Sequence, residues 1–115
     1  MRHCRSKKTL NMPRSQRDAV IKNLVISMLK CGKINTTLAK AKYFAPYMEK
    51  LITKAKVQSL ANTRYLVAKL DKDSVSAIYE IAKKFADRKG GYTRITKTWQ
   101  RYGDAAKTAM VEFVF

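Results

Sequence analysis

The chain has 115 residues, of which 46% are hydrophobic; that suffices for one packed domain and is too short for two ordinary ones. Twenty-five Lys and Arg against eight Asp and Glu leave a net charge of +17, too much self-repulsion for a protein that works alone, so a polyanionic partner is implied. Two cysteines, Cys4 and Cys31, are too few for a disulfide framework, and Lys or Arg recurs too often for a membrane-spanning apolar run.

The acids are scattered singly along the chain, so no acidic tail neutralises the excess internally. Nucleic acid is the expected counter-charge, with an anionic membrane surface a distant second. The basic opening lacks the apolar stretch of a secretory signal, which predicts a cytoplasmic protein or an equally basic organellar one.

Residues 1–14 carry Arg2, Arg5, Lys7, Lys8 and Arg14 with no acid and few apolar residues. Such a segment cannot bury enough surface to fold by itself, and it reads as an arm that orders on a partner. A first helix is expected from about Ser15, with Asp18 completing a weak capping box. Ile21, Leu24, Val25, Met28 and Leu29 share one face of it, and Gly32 stops it. Residues 33–36 read as a short strand, and Thr37 can cap the next helix. That helix buries Leu38, Ala41, Ala45, Met48, Ile52 and Ala55, while Lys40, Lys42, Lys50, Lys54 and Lys56 supply its basic side. Pro46 lies inside the pattern and is expected to kink or restart the helix.

Two shorter helices are predicted at about 59–70 and 74–87, the second capped by Asp73 and burying Ile78, Ala82 and Phe85. Gly90-Gly91 ends the helical part. Thr-rich, aromatic 92–99 and apolar 109–115 read as strands joined through Gly103-Asp104. The expected architecture is α+β: about four helices packed on a small, mainly antiparallel three-stranded sheet, with the basic arm outside it. Residues 1–115 read as one unit, with an arm at 1–14 and a body at 15–115; no internal repeat or linker divides them.

The strongest chemical feature runs from Lys83 to Arg101: seven basic residues, Lys83, Lys84, Arg88, Lys89, Arg94, Lys97 and Arg101, interleaved with Phe85, Tyr92 and Trp99, and with Tyr102 just beyond. Guanidinium and ammonium groups bind phosphate oxygens, and Gly90 and Gly91 allow close backbone approach to one. On a strand, Tyr92 and Arg94 share a face that can touch RNA, while Thr93 and Ile95 face the core.

Other chemistries are poorly served. His3, Cys4 and the distant Cys31 do not have zinc-site spacing, so no metal is expected. Cys with His as a nucleophilic pair would sit in or beside the arm. Asp71 and Asp73 fall in a helix-connecting turn, where Asp is commonplace. No cofactor, small-molecule substrate or enzymatic role is implied. The rivals weighed are a DNA-compacting protein, an RNA-modifying enzyme or nuclease, and a membrane-surface binder; a DNA-reading helix-turn-helix spacing is missing.

Ile34-Asn35-Thr36-Thr37, Lys40-Ala41-Lys42, Glu49 and Leu51-Ile52-Thr53 together resemble the bacterial large-subunit ribosomal protein seventeen family. Met1-Arg2-His3 with Leu10-Asn11, the run from Gly90 to Ile95, and Gly103-Asp104-Ala105 followed by Glu112 match it in the same order. Cys4, Cys31 and the position of Pro46 depart from the family pattern. The resemblance implies an α+β fold that binds large-subunit ribosomal RNA near the exit of the peptide tunnel, beside neighbouring large-subunit proteins, with no catalytic residue or cofactor. It also implies RNA contacts at Arg2, His3, Arg17, Lys40, Lys42, Arg64, Arg88 and Arg94.

Overall fold

The structure, a computed structural model, describes residues 9–115. Helix α1, Arg14–Cys31, buries Ile21, Val25 and Met28, with Leu24 and Leu29 packed at the margin of the same stripe. Its start differs from the expected Ser15 cap. Pro13 occupies the capping position, and its carbonyl accepts from the Arg17 amide at 3.0 Å. Proline suits a helix start because its missing N–H would have had no helical acceptor there. Ser15 therefore lies within the first turn, and Asp18 faces Arg14 at 3.8 Å instead of closing a capping box. Arg14 belongs to the helix and not to the arm.

Gly32 ends α1 in the left-handed region, φ 75°, and its N–H reaches the Met28 carbonyl at 2.8 Å. Strand β1, Lys33–Thr37, then leads directly into α2, Leu38–Lys56. Thr37 sits at the cap position, but its side chain makes no capping hydrogen bond.

α2 is the centre of the molecule and runs through Pro46 without restarting. Interior proline costs about 3 kcal/mol. Against that, Ala41, Phe44 and Ala45 are buried before it and Met48, Leu51, Ile52 and Ala55 after it. Burying each large apolar side chain is worth roughly 1.5–3 kcal/mol, so the flanks outweigh the break.

Helix α3, Leu60–Lys69, is capped by Ser59, whose side chain accepts from the Asn62 amide at 3.2 Å. Helix α4, Lys72–Lys84, begins and ends before the expected 74–87 span. Asp71, not Asp73, holds its cap position, and the Asp71 carboxylate is turned to Lys22 of α1 at 2.9 Å. The helix stops where Phe85 enters an aromatic cluster. That ring lies 5.0 Å from Tyr92 and 5.1 Å from Phe115, stacked on the latter.

Strands β2, Thr93–Gln100, and β3, Lys107–Phe113, complete an antiparallel sheet of order β1-β3-β2. Val111 is the register partner of both Ile34 and Ile95, and the alternation of Ala109, Val111 and Phe113 points into the core. α2 lies against all three strands and against the other three helices. The architecture is α+β, four helices on a three-stranded antiparallel sheet.

Candidate nucleic-acid interface

The N-terminal candidates Arg2, His3, Arg5, Lys7 and Lys8 lie outside the described residues. At the foot of the arm, Arg17 is turned inward. Its guanidinium donates to the Thr9 carbonyl at 3.2 Å and the Met12 carbonyl at 3.3 Å, fastening 9–12 to α1.

Three depressions elsewhere on the surface hold sequence-derived candidates. The first, about 470 Å³, is a groove between α2, α3 and the Lys89-Gly90 loop. Lys50 and Lys54 stand one helical turn apart on α2, with Lys54 Nζ 5.9 Å from the centre of the Tyr65 ring. Glu49, at the same groove, has one carboxylate oxygen engaged: Oε1 accepts from the Thr93 amide at 3.2 Å and the Thr93 hydroxyl at 2.9 Å. The second, about 460 Å³, lies between the end of β1, the start of α2 and the β2–β3 hairpin, and holds Lys40, Trp99 and Arg101 among threonines. The third adjoins it on the far side of the α2 start, with Lys42 and Lys107.

The sequence-derived candidates divide accordingly. Lys40, Lys42, Lys89 and Gly90 line these depressions. Arg64, Gly91, Arg94 and Lys97 are exposed, Arg94 with Glu112 at 3.7 Å. Gly91 adopts φ 66°, which turns the chain sharply into β2.

Tyr92 is a correction. It is 1% exposed, packed on Phe85, and its hydroxyl donates to the Arg88 carbonyl at 3.1 Å, so its ring has no free face for a nucleotide. Shared parity with Arg94 requires both to be in the strand, and Tyr92 precedes it.

Arg88 is half-buried. Its guanidinium donates to the Val114 carbonyl and lies 5.5 Å from the Phe85 ring centre, while its own carbonyl accepts from Lys56. Arg101 grips Asp104 with two hydrogen bonds, at 3.1 and 2.5 Å. That guanidinium holds the Asp104 carboxyl at about 2, well below its ordinary 3.8, helped by the Ala106 amide. The same pair raises the Arg101 value.

Lys50 and Lys54 read from the sequence only as part of the basic side of α2, not as RNA contacts, and Lys107 is not among the sequence-derived candidates. The spacing of Lys50 and Lys54 on one face of α2 was a usable signal; Lys107 had none, because only sheet pairing brings it beside α2. Among the described residues, no group of three or more His, Cys, Asp or Glu could hold a metal, and no helix is long and apolar enough to cross a membrane.

The family model for ribosomal protein L17 matches residues 20–114. The chain belongs to the ribosomal protein L17 family. It is 48% identical to large ribosomal subunit protein bL17 of Campylobacter lari, over 99% of each chain. The protein of that name from a Sulfurovum species is 49% identical over 99% of this chain and 100% of its own. The Neorickettsia sennetsu one is 44% identical over the same shares. The family resemblance read from the residues is thus the right one, and L17 proteins are structural ribosomal components, not enzymes.

Proposed function

We infer that this chain is a structural constituent of the large ribosomal subunit that binds folded ribosomal RNA through its basic depressions and supports translation in the cytoplasm. The observation that carries this is the disposition of charge. Lys40, Lys42, Lys50, Lys54, Lys89 and Lys107 all line clefts, and none of them is in an ion pair among the described residues. Ammonium groups without an ion-pair partner at concave sites suit the phosphates of closely packed RNA, whose counterions they release. The body from Arg14 onward acts as one unit, with the basic arm that precedes it ordering upon the RNA. Family membership supports a position on the solvent side around the tunnel exit, beside other large-subunit proteins.

Recognition of this kind reads backbone and shape more than bases. Exposed Arg64, Arg94 and Lys97 add to the positive charge of the body, and Arg2, His3, Arg5, Lys7 and Lys8 of the arm, outside the described residues, are proposed as further RNA contacts. The test is sedimentation through a cushion at about 150 mM salt, which leaves strong multivalent phosphate contacts intact. The protein is expected to pellet with large subunits and to prefer structured ribosomal RNA to duplex DNA of equal length. Recovery in the supernatant, or equal affinity for the DNA, would overturn the reading.

A further inference from the structure

The β2–β3 hairpin carries the two most exposed aromatic side chains among the described residues. Trp99 is 87% exposed and Tyr102, three residues on, is fully exposed, although both belong to residue types that gain most from burial. The register explains how Trp99 comes to stand out. Lys97 pairs with Ala109 and Gln100 with Lys107, so Thr98 and Trp99 together oppose the single residue Thr108. That is a β-bulge, a device that re-aims a side chain out of its strand.

The tip is held firmly in this arrangement. The Thr108 hydroxyl donates to the Trp99 carbonyl at 2.5 Å and lies 2.6 Å from the Thr98 hydroxyl. The Arg101 amide donates to the Ala106 carbonyl at 2.9 Å, and Asp104 is neutralised by Arg101. These bonds present the rings without any contact of their own to satisfy.

We propose that the hairpin is a nucleobase-stacking element, in which Trp99 and Tyr102 take unpaired bases of RNA while Lys40 and Lys97 hold the flanking phosphates. The proposal rests on the RNA-binding reading above and assigns it a contact that duplex RNA cannot supply. An unpaired nucleotide offers a π-face and a negative charge together, and the ring here is bordered by the Lys40 ammonium, the Arg101 guanidinium, threonines and Asn35. A protein partner would call for apolar side chains around the ring, and the residues lining the depression besides Trp99 are all polar or charged.

Trp99 is the only tryptophan in the chain, so its fluorescence reports on this one position. The full-length protein is titrated, at about 150 mM salt, with a labelled RNA stem-loop bearing an unpaired purine loop and with a fully paired duplex of equal charge. Anisotropy of the label measures affinity. The stem-loop is expected to quench Trp99 at stoichiometric binding, and the duplex to bind with little quenching. Trp99→Ala and Tyr102→Ala should each weaken the stem-loop about tenfold and leave the duplex unchanged, with Trp99→Phe restoring most of the loss. Circular dichroism checks that each variant is folded. Stem-loop binding with no quenching, equal quenching by both RNAs, or variants that change neither or both affinities alike would overturn the stacking role alone. If neither RNA bound, the RNA-binding reading itself would fall.

Discussion

Replacing Arg88 with Ala separates a structural arginine from a surface one. The alanine keeps the backbone carbonyl that Lys56 and the Tyr92 hydroxyl use, so only the side chain's own contacts disappear. Those are the hydrogen bond to the Val114 carbonyl and the guanidinium over the Phe85 ring at 5.5 Å. A hydrogen bond from a charged donor contributes about 1.5–3 kcal/mol, and a partly exposed cation–π contact about 0.5–1. Arg88 is only half-buried and water can reach Val114, so about 2–3 kcal/mol is expected in all. Arg94 is the comparison. Its partner Glu112 lies 3.7 Å away, with the arginine side chain 61% exposed, and a pair of that kind is worth about 0–1 kcal/mol. In a domain of this size each kcal/mol moves Tm by roughly 3–6 °C. Thermal unfolding followed by far-ultraviolet circular dichroism should therefore show Arg88→Ala melting on the order of 10 °C below the parent, and Arg94→Ala within a few degrees of it. If the two variants melted together, the Val114 bond would carry no weight and Arg88 would belong with the free surface cations.

Ile52→Ala should cost about 2–5 kcal/mol in urea unfolding, and Leu24→Ala no more than about half that, because Ile52 is fully buried and Leu24 lies at the margin of the core; equal losses would contradict the packing. Glu49→Ala should cost about 1.5–3 kcal/mol, since its carboxylate is the one acceptor for both the Thr93 amide and hydroxyl. Glu49→Gln, which retains an acceptor oxygen, should recover part of that by the same measurement. Asp104 should titrate in the folded protein with a midpoint of about 2 by carboxyl NMR. Its folded value is depressed, so the order it lends the hairpin is complete above the ordinary 3.8 and disappears as pH falls through about 2. Asp104→Asn should remove that acid transition, and a midpoint near 3.8 would disprove the Arg101 clamp.

Local chemistry made much of this protein legible in its sequence. The three- and four-residue spacing of Ile21, Val25 and Met28 marks the inner face of α1, Gly32 marks its end, and alternation marks β3. The charge excess is read from composition alone, and it is what the proposed RNA partner answers. These signals survive because periodicity and φ preferences act over a single turn or strand, whatever lies across the core.

Tertiary structure decided where individual polar groups point. Asp71 could have capped α4, but Lys22 of α1 draws its carboxylate away. Arg17, Arg88 and Arg101 look alike in the sequence as cations for phosphate, yet each meets a carbonyl or carboxylate that folding brings within reach. Tyr92 and Trp99 read as equivalent aromatics in one basic run; the turn at Gly91 buries the first against Phe85, and the bulge opposite Thr108 exposes the second. A side chain's charge or ring is set by its residue type, whereas its partner depends on which backbone groups the packed elements leave nearby, and no local pattern encodes that.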